Sequence, residues 1–187
     1  MTTKVAVIVG SLRKDSVNRQ LAEALARLAG PKLNLQIVEI GDLPLYNQDL
    51  EAQLPAAVVR FKHHIEAADA VLFVTPEFNR SFSAALKNAI EWGSRPWGKN
   101  SWAGKPGAIV GATLGAVGTA AAQSQLRSVV SAVGVALTAQ PEVYLNFREG
   151  LIVDGEIADD GLKALLKDWS AQFADWTARL RQPTLSF

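Results

Sequence analysis

The chain has 187 residues, 49% of them hydrophobic and 20% charged, with a net charge of +1 and no cysteine. That length and mix suit one globular unit with a full core, expected over residues 1–187. A near-neutral balance gives no basic field for nucleic acid or an anionic membrane, and the lack of cysteine excludes disulfides, thiolate nucleophiles, iron–sulfur clusters and cysteine-based zinc sites. The opening Met-Thr-Thr-Lys runs directly into an apolar stretch too short for a signal peptide, and no segment reaches membrane-spanning length. A soluble cytoplasmic protein is expected.

Lys4 to Val9 is apolar on both faces, as a central strand of a parallel sheet must be. Gly10 ends it and lets the backbone turn without a Cβ clash. A polar loop carrying Ser11, Arg13, Ser16 and Asn18 leads into a helix that begins near Val17 and runs through Leu28. Gly30-Pro31 stops that helix, and Leu33 to Ile40 alternates as a strand nearer the sheet edge. Asp42 to Leu54 reads as a loop whose Leu43-Pro-Leu-Tyr46 piece packs down, followed by a helix from Pro55 to about Ala67. Ala70 to Thr75 is a third strand apolar on both faces, Pro76 to Ser81 a loop, and Ala84 to Trp92 a third helix.

Pro106 to Thr113 forms the fourth strand, Leu114 to Thr119 a second glycine-bearing loop, and Ala120 to Val133 the fourth helix. Val135 to Thr138 starts a fifth strand that Pro141 to Leu145 continues, and Ile152 to Ile157 reads as a short hairpin. The last helix shows Leu162, Leu165, Leu166, Trp169, Phe173, Trp176 and Leu180 on one stripe, a core-packing pattern. Five β-α repeats demand a parallel sheet with helices on both faces and right-handed crossovers. Ligands of such sheets bind outside the carboxyl ends of the strands, at a topological switch point, and the loops after strands one, three and four all lie at that edge.

Each loop suggests its own task. The first offers two hydroxyls, an amide and a guanidinium around a helix N-terminus, which suits a phosphate; the alternative is that Ser16 simply caps the helix and Arg13 is solvated. The second offers backbone amides with Phe78 and Asn79, which suits a flat heterocycle. The third has two glycines that let backbone approach a ring. A phosphate at one end and a flat ring at the other describe a mononucleotide, and no acidic residue after the first loop is placed to read a ribose 2′-hydroxyl. Glu77 reads as a helix N-terminal charge or ion-pair partner rather than a general acid, and His63 and His64 as surface residues. Arg95, Trp97 and Trp102 sit in a polar stretch after the third helix and read as a subunit interface or the rim of an acceptor pocket.

Gly10-Ser-Leu-Arg-x-x-Ser-x-Asn18, Thr75-Pro-Glu-Phe-Asn79 and Leu86-Lys-Asn-Ala-Ile-Glu-Trp92 together resemble the bacterial NAD(P)H-dependent FMN reductase family, which includes quinone and chromate reductases and ferric reductase B. The resemblance implies a flavodoxin-like α/β fold with five parallel strands in the order 2-1-3-4-5. It also implies non-covalent FMN, reduction by NADH or NADPH, and ping-pong transfer of two electrons to quinones or other acceptors such as chromate or ferric complexes. No catalytic side chain and no metal are implied, because the flavin carries the hydride. By position, Ser11, Arg13, Ser16, Val17 and Asn18 would hold the FMN phosphate. Pro76, Glu77, Phe78 and Asn79 would line the ring with Ser81 nearby, and Leu114, Gly115, Ala116 and Gly118 would close the other side. The family pattern has Tyr at Phe78 and often Ser at Leu114, so two polar groups of the pattern are lost here. A homodimer or homotetramer is implied. The competing expectation is a flavodoxin-type electron carrier, against which the net charge of +1 counts, since such carriers rely on a strongly acidic surface for docking.

Overall fold

The computed structural model describes residues 2–181. Met1 and residues 182–187, included in the expected unit, lie outside the described residues. Its frame is a parallel sheet of β1 (Thr3–Val9), β2 (Leu33–Val38), β3 (Ala70–Thr75) and β4 (Pro106–Thr113). The fifth position is shared by β5 (Ala136–Leu137) and β6 (Val143–Asn146). The order is β2-β1-β3-β4-β5, and β6 pairs with the upper part of β4. Strand β1 is central: Val5 lies beside Leu35 of β2 on one side and Ala70 of β3 on the other. Every residue of β3 is buried, which accounts for its unbroken apolar run. Fold class and strand order agree with the expectation, including the fifth strand resumed after a break.

Five helices cover the sheet among the described residues: α1 (Val17–Leu28), α2 (Ala56–Glu66), α3 (Ala84–Ser94), α4 (Ala120–Ala132) and α5 (Asp160–Leu180). The alternation of β1 decides which face they take. Val5, Val7 and Val9 pack with α1 and α5, and Ala6 and Ile8 pack with α2, α3 and α4. The hairpin of β7 (Ile152–Val153) and β8 (Glu156–Ile157) closes the first face against α1, where Arg27 donates to the Asp154 carbonyl at 2.9 Å. No helix among the described residues is long and apolar enough to cross a membrane.

Three expectations need correction. Trp102, read as part of an exposed rim, is fully buried. Its indole packs against Phe61 and Phe73, with centroids 5.9 and 5.5 Å away, and its Nε1 donates to the Ile90 carbonyl at 2.9 Å. Gly93 makes this possible, since a Cβ there would lie 2.3 Å from the indole. The polar neighbours serve the backbone instead: the Ser101 N–H donates to the Gly93 carbonyl and the Asn100 Oδ1 accepts from the Trp102 N–H. In the segment after β2, Leu43 is buried but Leu45 is 82% exposed, in irregular chain that leads into a short 3-10 helix at Gln48–Ala52. On α5, Leu162, Leu166, Trp169 and Phe173 are buried, whereas Leu165 and Leu180 fall off the buried stripe and are exposed.

Removing the Trp102 indole opens a large cavity between two layers. Trp102→Ala should cost about 3–5 kcal/mol of stability in urea denaturation, while Trp97→Ala at an 88% exposed position should stay within about 0.5 kcal/mol of the parent. Equal midpoints for the two variants would contradict this placement of Trp102.

Candidate functional site

In the order β2-β1-β3-β4 the chain leaves β1 toward one edge and later fills the other, so the crevice between the ends of β1 and β3 is the switch point. A cleft of about 190 Å³ opens there. The first loop contributes Ser11, Arg13, Ser16, Val17 and Asn18 to its wall. The second contributes Pro76, Glu77 and Phe78, and the end of β4 contributes Ala112, Thr113 and Leu114. Three separate stretches of sequence thus meet at one place.

In the first loop, Ser16 is buried and caps α1, its Oγ accepting from the Arg19 N–H at 3.2 Å. Its hydroxyl proton remains free to donate into the cleft. Arg13 is exposed, its guanidinium folded onto the Asp15 carbonyl at 2.5 Å. Asn18 behaves differently from its expected role. It is 2% exposed, its Nδ2 donates to the Ala112 carbonyl at 2.8 Å, and its Oδ1 accepts from the Ala112 N–H at 2.9 Å. The amide therefore clasps β4 rather than facing out as a ligand.

The second loop is a tight turn. The Phe78 and Ser81 backbones exchange two hydrogen bonds of 2.9 Å, with Asn79 and Arg80 between them at φ of 51° and 66°. Phe78 projects, 56% exposed, beside the cleft. Asn79 stands at the exposed tip and does not line the cleft. Ser81 turns toward α4, donating to Gln125 Oε1 at 2.8 Å, and Gln125 Nε2 donates back to the Arg80 carbonyl at 2.7 Å. Glu77 is nearly buried, and its Oε2 accepts from the Ala122 N–H at 3.1 Å in the first turn of α4. That is the helix N-terminal role expected of it.

In the third loop, Leu114 is 71% exposed at the cleft edge, and Gly115 and Ala116 are exposed beyond it. Gly118 does not line the cleft. It is buried at φ 62°, and a Cβ there would come within 2.7 Å of the Tyr144 carbonyl, so its absence lets the loop pass over β6. Asn146 pins the loop, its Nδ2 donating to the carbonyls of Leu114 at 3.2 Å and Gly115 at 2.8 Å. Buried Gln123 ties α4 to the same region, donating to Thr119 Oγ1 and the Val143 carbonyl. Nothing in the local pattern marked Asn146 or Gln123, because the backbone carbonyls that they bond lie 20 or more residues away in sequence.

Arg95 and Trp97 are not at this cleft. They follow α3, whose 11 residues carry the chain about 16 Å away from the carboxyl edge at 1.5 Å per residue. There the Arg95 guanidinium lies 6.0 Å from the ring centroids of both Tyr46 and Trp97. A rim role at the cleft falls for Arg95, Trp97 and the buried Trp102.

A parallel sheet in this order, with a helix-capping hydroxyl, an arginine and apolar flanks at its switch point, defines a mononucleotide-binding protein of the flavodoxin-like class. Residues 3–150 match the family model described as NADPH-dependent FMN reductase, and the chain belongs to that family. It is 48% identical over 177 residues to a 2-hydroxy-1,4-benzoquinone reductase of a Burkholderia species, covering 94% of this chain and 97% of that one. It is 47% identical over 173 residues to a quinone reductase of Pseudomonas putida, covering 92% and 93%. Among solved structures, FerB, a flavoenzyme NAD(P)H:(acceptor) oxidoreductase from Paracoccus denitrificans, superposes with a TM-score of 0.92 at 42% identity, covering 95% of this chain and 98% of that one.

The clasp leads to a specific expectation. Asn18→Ala strips two buried backbone groups of their partner, so stability should drop by about 1–3 kcal/mol in urea denaturation. Because the clasp joins the first loop to the third, FMN and riboflavin should weaken by the same factor in fluorescence titrations of the apo-protein. Undiminished stability with a loss confined to FMN would instead put Asn18 on the phosphate.

Proposed function

We propose that the chain is a cytoplasmic FMN-containing oxidoreductase that passes two electrons from NADH or NADPH to quinones at a single flavin site. The observation that supports it best is the cleft itself, where a phosphate-type end and an apolar, flat end stand at the two sides of one opening. The residues fit the group. The Ser16 hydroxyl, the unpaired N–H groups of the first turn of α1 and the Arg13 guanidinium suit a phosphate. Phe78 and Leu114 offer apolar surface on either side of a ring. Bound FMN would supply the hydride chemistry, accepting from the nicotinamide and delivering to the acceptor.

The chain's own residues bind, orient and shield. Ser11, Ser16 and Arg13 hold the anionic end, and Val17 and Pro76 pack between the two ends. Glu77 and Gln125 fix the second loop by bonds to or from α4, which leaves Phe78 held at the cleft. Phe78 and Leu114 are both largely exposed, so the acceptor side is open. That openness favours flat quinones and leaves room for chromate and ferric complexes as further acceptors. The relatives' names, quinone reductase and 2-hydroxy-1,4-benzoquinone reductase, point the same way. We further propose a homo-oligomer that uses the face bearing Leu45, Arg95 and Trp97, where two large apolar side chains are more than four-fifths exposed beside a cation.

The purified protein should be yellow with equimolar FMN released by acid, and anaerobic NADH or NADPH should bleach it. Arg13→Ala should weaken FMN roughly tenfold to a hundredfold through loss of a charge-assisted hydrogen bond, and leave riboflavin unchanged. Equal weakening of both flavins would remove Arg13 from the phosphate. A colourless protein that takes up no added FMN would overturn the reading as a whole. In light scattering the holo-protein should reach at least twice the chain mass, and Trp97→Ala should shift it toward the monomer; a monomeric parent at micromolar concentration would refute the assembly.

A further inference from the structure

A larger cleft lies on the other side of the first loop. It has a volume of about 490 Å³ and runs between Ser11–Lys14 and the carboxyl end of β2, from Ile37 to Gly41. Ser11 and Arg13 line both clefts, so the two openings share the loop as a common wall. Three cations, Arg13, Lys14 and Arg19, face one carboxylate, Glu39. The flavin reading uses Arg13 but not Lys14 or Arg19.

The state of these charges matters. Arg19 stands in the first turn of α1, with Nε 3.1 Å from Glu23 and Nη2 2.9 Å from Glu39. All three side chains are more than two-fifths exposed, and exposed ion pairs of this kind hold weakly in water. Lys14 is exposed and has no hydrogen-bond or ion-pair partner among the described residues. Glu39 is the first residue past β2. In the Rossmann fold, where the second strand likewise lies beside the first, the ribose 2′ position is read near the end of the second strand, by an acid for a hydroxyl or by an arginine for a 2′-phosphate, and the analogous position here is that of Glu39. The alternating pattern from Leu33 to Ile40 places Glu39 within the second strand; the structure ends β2 at Val38 and so puts an acid at that position, its charge already engaged by Arg19. Leu12 projects beside the cleft as an apolar surface opposite side-chain-free Gly41.

We propose that this cleft binds the adenosine end of the dinucleotide donor and selects NADPH over NADH, with Lys14 and Arg19 gripping the 2′-phosphate and Leu12 contacting the adenine. The phosphate displaces Glu39 from the Arg19 guanidinium, whose planar fork suits phosphate oxygens. Glu39 then acts as the element that disfavours the phosphate until Arg19 is released. The inference rests on the reading of the protein as a nicotinamide-oxidising flavoenzyme.

The experiment uses the FMN-loaded holoprotein and two redox-inert probes, adenosine 2′,5′-bisphosphate and adenosine 5′-monophosphate, titrated by calorimetry. The parent should bind the bisphosphate about tenfold or more tightly than the monophosphate, as one added charge-assisted contact gives. Lys14→Ala should cut that preference to within about threefold by weakening only the bisphosphate, and Glu39→Gln should strengthen only the bisphosphate. In steady-state kinetics the same two variants should move KM for NADPH in opposite directions and leave kcat unchanged. Equal binding of the two probes by the parent, or equal weakening of both by Lys14→Ala, would overturn the proposal; the second outcome would put the site on the 5′-phosphate chain. A protein that oxidises NADH and NADPH with the same kcat/KM keeps its oxidoreductase function and loses only this inference. A holoprotein that oxidises neither loses both.

Discussion

Where parallel strands end, their backbone N–H and C=O groups lose the neighbour that satisfied them, and leaving such groups buried and unpaired is costly. Two side chains answer this at the carboxyl edge. Thr75 and Gly111 form the last register pair of β3 and β4, and the next residue, Ala112, makes both of its bonds with the Asn18 amide. Ser83 does the same for β1: its Oγ donates to the Gly10 carbonyl at 2.5 Å and accepts from the Leu86 N–H at 3.2 Å, so one hydroxyl holds the strand end and caps α3. Each surrogate partner comes from a helix or a helix cap that follows a different strand. The loops that would meet a ligand are therefore fastened to one another and not merely adjacent.

That fastening explains how an open cleft can still be well formed. Arg80 adopts a left-handed backbone conformation that a non-glycine residue rarely takes, and Asn79 precedes it in the same region. Such a turn persists only where the surroundings over-determine it. Here Gln125 bonds both the Ser81 hydroxyl and the Arg80 carbonyl, and Glu77 is anchored on the first turn of α4. Asn146 holds the third loop through two carbonyls. The polar bonds lie behind the loops, and the apolar side chains of Phe78 and Leu114 face outward. A rigid frame with an open apolar mouth positions a ring without enclosing whatever lies on its far side.

The strands, the helices and the edge at which the site lies were legible because they follow from local pattern. Apolar runs of six or seven residues bounded by glycine, proline or polar loops define buried parallel strands, and the connectivity then forces the loops to one edge. What stayed hidden depended on distant partners. Asn18 has a side chain that can serve a phosphate or a backbone equally well, and only the position of Ala112, 94 residues on, decides between them. Trp102 sits among polar neighbours, yet the space that receives it is shaped by Phe61, Phe73 and Gly93. Gly118 was read as a close approach to a ring, whereas the neighbour that a Cβ there would meet is the Tyr144 carbonyl on β6. The α5 stripe was read two residues too wide, because Leu165 and Leu180 carry the right residue type at positions that the helix turns to solvent.

Charge shows the same division between local and global information. A net charge of +1 gives no strong field of one sign over the whole surface, which counts against the acidic steering that a protein-docking electron carrier relies on. It does not rule out recognition of small anions, which needs only a few donors within hydrogen-bond reach in a site of reduced dielectric. The first loop meets that requirement. Between Ser11 and Arg19 it gathers three cations and two hydroxyls against one acid, Asp15, at the start of a helix whose dipole is also positive there, while acids elsewhere restore the balance. A chain nearly neutral overall thus concentrates positive charge at one edge, and that edge lies on both sides of the loop that the flavin and its electron donor would share in the proposed reading.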